Sequence, residues 1–240
     1  MITGASRGLG LALARALAAR GWRLVIDARG ADALERARAE LAAVTPVVAI
    51  AGDVADESHR QLLIEQARAR GGVDLVVNNA SLLGPSPQPG LESYPLEAME
   101  DVYRANVFAP LRLVQLTLPL LRHSPDGRVI NLTSDAAVEG YEGWGGYGSS
   151  KAALEQLSNV LAAEQPGVRV YWVDPGDMNT QMQEEAFPGE DVSDRPPPEA
   201  SVPGLLLLIE GELPSGRYRV RDLSTKDLPA GVEAVAGGEA

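Results

Sequence analysis

Tyr147 and Lys151 stand four residues apart in the segment YGSSK. On a helix that spacing puts both side chains on one face. A phenol with a pKa of about 10 is a poor base at neutral pH. An ammonium a few ångströms away favours phenolate and lowers that value, so the pair could trade a proton with a substrate oxygen near physiological pH. Alone, the spacing is weak, because Tyr and Lys four apart occur by chance on many exposed helices. Three further features add weight. Ser134 ends an apolar run thirteen residues before Tyr147, and its hydroxyl could donate to a carbonyl oxygen as charge develops there. The chain carries nineteen arginines but only two lysines, Lys151 and Lys226, so a compact ammonium at 151 is a specific choice. Asn106 precedes Pro110 by four residues. Proline has no N–H, so the Asn106 carbonyl lacks its helical donor and could hold a water; a plain proline kink is the alternative.

A second constellation opens the chain. The segment TGASRGLG, residues 3–10, sets Gly4, Gly8 and Gly10 among Ser6, Arg7 and Leu9, between a short apolar start and an Ala/Leu-rich helix. Glycines there allow a tight turn and the close approach of a pyrophosphate to a helix N-terminus; an ordinary glycine-rich turn is the alternative. The next strand ends Asp27-Ala28-Arg29. An acid about 20 positions beyond the loop commonly holds the ribose of NAD, and Asp27 could serve. Arg29 and Arg7 could instead hold a 2′-phosphate, which favours NADP(H) and leaves NAD(H) open, or they could be plain surface charges.

The elements that must position these groups alternate along the chain. Apolar strands are expected at 24–26, 47–51, 75–77, 129–132, 168–173 and 218–220. Helices are expected from Leu9 to a stop at Gly21, from a capping box of Asp32 and Glu35 to about 43, and over 56–70, 96–122, 147–164 and 201–209. Segments 81–93 and 175–200 read as loops. Only Met1, Ile2 and Thr3 precede the glycine loop, so a full first strand would begin upstream. The pattern predicts a Rossmann-like doubly wound parallel α/β sheet of about seven strands with helices on both faces. Residues 1–222 are expected to form one dinucleotide-binding and catalytic domain, and 223–240 a flexible tail.

Composition narrows the partners. A net charge of −12 argues against nucleic acid or an anionic membrane, both of which call for a basic face. With no cysteine, thiolate chemistry and disulfides are excluded. His59 and His123 lie far apart in polar surroundings and read as surface residues, so no metal site is expected. No run approaches the roughly 20 apolar residues of a membrane helix, and Arg15 interrupts the signal-like stretch 9–19. A cytoplasmic protein is expected.

With these motifs in hand, the chain resembles the short-chain dehydrogenase/reductase family, in its short single-domain branch, over about residues 2–221. TGASRGLG resembles its cofactor loop, Asp53-Val54 its adenine-contacting pair, and NNAS at 78–81 its Asn-Asn-Ala-Gly motif, here with Ser81 in place of glycine. Asn106, Ser134, Tyr147 and Lys151 fall on its catalytic tetrad in order and spacing. Pro175-Gly176 and Thr180 resemble its nicotinamide-contacting segment.

The resemblance implies that Tyr147 exchanges the proton, Ser134 polarises the carbonyl, Lys151 binds the nicotinamide ribose and lowers the Tyr147 pKa, and Asn106 holds a water. It implies cofactor contacts from the 3–10 loop, Asn79, Ala80 and the positions above. The basic residues Arg7 and Arg29 go with NADP(H), and Ala28 occupies the acidic position of NAD users. It also implies a small carbonyl or alcohol substrate and a homodimer or homotetramer built on the two long helices. Tyr141, Trp144, Met178, Met182 and Phe187 suit either walls for an apolar substrate or packing of a lid, and five glycines over 140–148 suggest a mobile segment. A dinucleotide-binding regulator that lost turnover would have lost Tyr147 or Lys151, and both are present.

Overall fold

Short Val/Ile/Leu-rich runs, too brief for helices, form the sheet. They are β1 (Leu24–Ala28), β2 (Val47–Ala51), β3 (Leu75–Asn78), β4 (Arg128–Leu132), β5 (Arg169–Asp174) and β6 (Gly216–Arg219), and every pairing is parallel. The computed structural model describes residues 1–224; the tail expected over 223–240 falls almost wholly outside the described residues. Pairing runs β2–β1 in one block and β3–β4–β5–β6 in the other. A single residue joins the blocks: Ile2 bridges Ile26 on one side and Val77 on the other. Among the described residues six strands therefore stand where about seven were expected, and the first is reduced to that one bridge. Its backbone still satisfies both neighbours, through Ile2 N to Val25 O (2.9 Å), Thr3 N to Val77 O (3.0 Å) and Val77 N to Met1 O (2.9 Å).

Alternate strand residues feed two cores, as a pleat requires. Val77, Ile130 and Tyr171 pack with α1 (Gly8–Ala19), α2 (Ala31–Ala42) and α8 (Val202–Glu210). Val76, Val129 and Val170 pack with α3 (Glu57–Arg68) and α5 (Ala109–Leu121). Each side chain buried this fully contributes about 1.5–3 kcal/mol relative to exposure. No helix among the described residues is long and apolar enough to cross a membrane.

Several local expectations need correction. The Asp32/Glu35 capping box does not form: Gly30 is the N-cap of α2, and Glu35 bonds to Arg38 instead. The helix expected over 96–122 is two, α4 (Leu96–Tyr103) and α5, joined by a π turn at Arg104–Phe108. There Ala109 N donates to Arg104 O, five residues back, and Pro110 has no N–H to close the normal ladder. The loop over 175–200 contains a short helix, α7 (Gln181–Ala186). Of the glycines over 140–148, close packing accounts for Gly145, Gly146 and Gly148 and a φ of +82° for Gly143, while Gly140 has nothing within 4 Å. A Cβ on Gly146 would lie 2.2 Å from Tyr94 Oη, and one on Gly148 would lie 2.6 Å from Ala136 O.

Candidate active site

The glycine loop is pinned from three sides. Gly4, at φ +66°, donates its N–H to Asp27 Oδ1 (2.8 Å). Asn79 Nδ2 donates to Thr3 O (2.8 Å) and Gly4 O (3.0 Å). Thr3 Oγ1 accepts from the N–H groups of Asn79 and Ala80 (3.0 Å each). A Cβ on Gly10 would sit 2.5 Å from Asn79 Nδ2, so only glycine fits. Asp27, weighed above as a ribose ligand, is 2% exposed and spends its other oxygen on His59 Nε2 (3.0 Å). It serves the loop from beneath and is not free for a ribose.

His59 is accordingly buried, against the surface reading; His123 is exposed as expected. Thr3 and His59 were missed as loop anchors. The available signal was an aspartate inside the apolar run LVIDA, since a buried acid needs partners.

Other expected cofactor positions line the carboxyl edge of the sheet, where such folds bind ligands. Gly8 (φ +54°) opens α1 beside Ser6 and Leu9, and the N-cap, Arg7, contributes no side-chain cap. The nearest atom to a Cβ built on Gly8 would be the Thr180 methyl, at 3.7 Å. Arg7 bonds to Gln181 in α7. Arg29, just past β1, is exposed and has no carboxylate partner among the described residues. Past β2, Asp53 Oδ1 accepts from Ala55 N (2.8 Å) and Val54 is buried. Past β5, Gly176 N donates to Asp174 Oδ1 (2.9 Å) and Ser201 Oγ to Pro175 O (2.8 Å). A helix start free of Cβ bulk with an unpaired arginine nearby fits a phosphorylated dinucleotide.

The second half of the edge carries the acid/base groups. Helix α6 (Gly145–Glu164) presents Tyr147 and Lys151, 7% and 3% exposed, with Nζ 5.4 Å from the Tyr147 ring centroid. Lys151 Nζ donates to Leu132 O (2.9 Å). Ser134, just past β4, caps a 3-10 turn, accepting from Ala136 N (3.2 Å) and donating to Asp135 Oδ1 (2.9 Å). Asn106 is wholly buried in the π turn. Its Oδ1 accepts from Leu82 N (2.8 Å) and Ser81 Oγ (3.2 Å), and its Nδ2 donates to Leu82 O (2.9 Å) and Ser150 Oγ (3.0 Å). Ser150 donates onward to Tyr147 O (2.6 Å). The Asn106 side chain thus ties the 81–82 segment to the helix bearing Tyr147, a link the sequence did not reveal.

Burial pushes the Tyr147 phenol well above its ordinary range; a Ser81 hydrogen bond opposes this, and the Asp135 and Asp174 carboxylates add to it. Burial also brings the Lys151 ammonium down to about 8. Desolvation therefore outweighs the lowering of Tyr147 anticipated from Lys151. The phenol keeps its proton at neutral pH, as a donor to a carbonyl must.

Over the phenol lies an apolar cover. Trp144 packs edge-on to Tyr147 (5.7 Å between centroids) and against Phe187 (5.8 Å), and Leu83, Met182 and Ala186 complete the cluster. Arg195 stacks on Phe187 at 4.6 Å. Tyr141 stands at the rim, its hydroxyl on Asp135 and Glu139, and Met178 packs on the first core instead.

Residues 1–191 match the family model described as short chain dehydrogenase. Benzil reductase ((S)-benzoin forming) of Saccharomyces cerevisiae is 35% identical over 193 residues, 77% of this chain and 73% of that protein. Sepiapterin reductase of Mus musculus is 35% identical over 199 residues, 78% of this chain and 76% of that protein. Among solved structures, a short chain dehydrogenase of Shigella flexneri 2a complexed with NADP superposes with a TM-score of 0.84 at 28% identity, covering 92% of this chain and 96% of that one. An alcohol dehydrogenase of Thermococcus sibiricus complexed with 5-hydroxy-NADP gives 0.82 at 28%, covering 91% and 94%.

Proposed function

The chain belongs to the short-chain dehydrogenase family, and on that premise we propose that it is an NAD(P)-dependent oxidoreductase interconverting a carbonyl and an alcohol, with residues 1–222 acting as one unit. The observation that carries the reading is the burial of Tyr147 and Lys151 on one face of α6, with Lys151 holding the end of β4 through Leu132 O. Tyr147 gives its proton to the carbonyl oxygen in reduction and recovers it in oxidation. Ser134 Oγ donates to the same oxygen as negative charge grows there. Lys151 supplies the positive charge beneath. Asn106 keeps α6 and the 81–82 segment in register, and its carbonyl, opposite Pro110, would hold a water.

The 3–10 loop, including Gly4, Ser6, Arg7, Gly8, Leu9 and Gly10, would hold the dinucleotide pyrophosphate. Asp53 and Val54 would meet the adenine, and Asn79, Ala80, Pro175, Gly176, Thr180 and Lys151 the nicotinamide half. When bound, the nicotinamide supplies or accepts the hydride. NADP(H) is the preferred form, supported by the unpaired Arg29, by the commitment of Asp27 to Gly4 and His59, and by the two NADP-type complexes among similar structures.

The cover of Trp144, Met182 and Phe187 supports a substrate with an apolar, aryl-bearing body, so benzil and sepiapterin, from the names of two relatives, lead the panel to be tried. A homodimer or homotetramer is supported by the exposure of Leu96 on α4 and Phe108 in the π turn, which border a groove of about 430 Å³. The test is NADPH and NADH oxidation against a panel of ketones and aldehydes. Tyr147→Phe is expected to lower turnover by at least roughly 100-fold while NADPH affinity stays within about twofold. Full turnover by that variant, or tight NADPH binding with no turnover on the whole panel, overturns the reading.

A further inference from the structure

The stripe of α6 that carries Tyr147 and Lys151 continues to Glu155, one turn further on. Glu155 Oε1 accepts from Thr133 Oγ1 (2.8 Å), and its two oxygens accept from Arg217 Nε at 3.0 and 3.1 Å. Arg217, in β6, extends Nη2 to Ser134 O (3.3 Å). Lys151 already holds Leu132 O. Three consecutive residues at the end of β4 are therefore each gripped by this stripe or by the arginine it orients. The pair is largely buried, with side chains 12% (Glu155) and 23% (Arg217) exposed, so it is not a screened surface contact.

Ser134 has need of such a hold. The parallel ladder's last bond is Thr133 N to Val173 O (2.8 Å), and beyond it the chain turns into the short 3-10 segment that Ser134 caps. Resting on the proposed roles of Tyr147 and Ser134, we infer that Glu155 and Arg217 are positioning residues: together they fix the Thr133–Ser134 backbone that presents the Ser134 hydroxyl, and neither touches substrate. A small displacement of a carbonyl-polarising donor lowers the rate of the chemical step more than it lowers binding.

Glu155→Gln keeps an acceptor for Thr133 and removes the charge that orients Arg217. It is expected to lower kcat for ketone reduction about tenfold, with KM and the NADPH dissociation constant within about twofold. Because the effect runs through Ser134, adding Glu155→Gln to Ser134→Ala should cost nothing further, the mark of coupled residues; single-turnover measurement at high enzyme concentration keeps the weaker variants readable. Arg217→Lys keeps the charge but cannot span Glu155 and Ser134 together. It should behave alike, and it carries the same comparison if Glu155→Gln does not fold. Unchanged kcat in both variants, or losses that multiply fully with Ser134→Ala, overturns the inference. If Tyr147→Phe and Ser134→Ala are themselves fully active, the proposed reaction falls as well; if they are impaired while Glu155→Gln and Arg217→Lys are normal, the brace alone falls.

Discussion

A lysine withdrawn from water releases its proton more readily, and burial brings Lys151 to about 8 from an ordinary 10.5. Between those values the unfolded chain binds more protons than the folded one, so this group's contribution to stability rises with pH across that window; below it the burial cost stands in full. Catalysis should move the other way. The ammonium beneath the site is lost as pH passes about 8, so kcat/KM for carbonyl reduction should be level near neutrality and fall above it. A profile that climbs through this range would show that the amine works uncharged.

Two neighbours in sequence should separate two kinds of cofactor loss. Arg29→Ala is expected to weaken NADP(H) binding tenfold or more, the loss of one charge-assisted contact, and to leave NAD(H) unchanged. Asp27→Ala removes the partner of both Gly4 N and His59, each worth about 1–3 kcal/mol when left unsatisfied, and should weaken both cofactors alike. Calorimetric titration of the two variants distinguishes these patterns. Tyr147, Lys151 and Ser134 could be singled out as candidates because the proposed chemistry demands fixed residue types at fixed spacing. Asn106 was legible as a position, through Pro110, but its side-chain grip on Leu82 and Ser150 was not, because such a link joins segments far apart in the chain.

At the scale of elements, α6 and the turn after β4 approach so closely that no side chain fits between them at Gly148. Gly148→Ala would place a methyl 2.6 Å from Ala136 O, forcing the helix away from the Ser134 turn. The expected result is about 1–3 kcal/mol of destabilisation together with a fall in kcat of at least about tenfold. Gly90→Ala, with nothing within 4 Å and φ −61°, serves as the control and should change neither. Thermal unfolding and initial rates on both variants check this. The strands and most helices could be read from apolar runs and their periodicity. The reason for Gly145, Gly146 and Gly148 could not, since it depends on Leu91, Tyr94 and the Ala136 carbonyl, which only the fold brings alongside.

For the molecule as a whole, the doubly wound order follows from strand-helix alternation, and the site falls at the carboxyl edge because the topology brings successive loops there. Surface assembly is less legible: an exposed Leu96 (74%) or Phe108 (57%) looks like any helix residue until the fold shows both beside one groove. Paired variants Leu96→Asp and Phe108→Asp are expected to shift sedimentation from dimer or tetramer towards monomer; a wild-type chain that sediments as a monomer removes that part of the proposal.

The joint between the two strand blocks has its own consequence. Among the described residues Ile2 alone bridges β1 to β3 across the sheet, and the glycine loop springs directly from it. Arg29 and Asp53 belong to one side of this suture; Asn79, Ser134, Tyr147 and Lys151 belong to the other. A dinucleotide laid along the edge would rivet the halves together, so the chain's cohesion and its occupancy would rise and fall as one quantity.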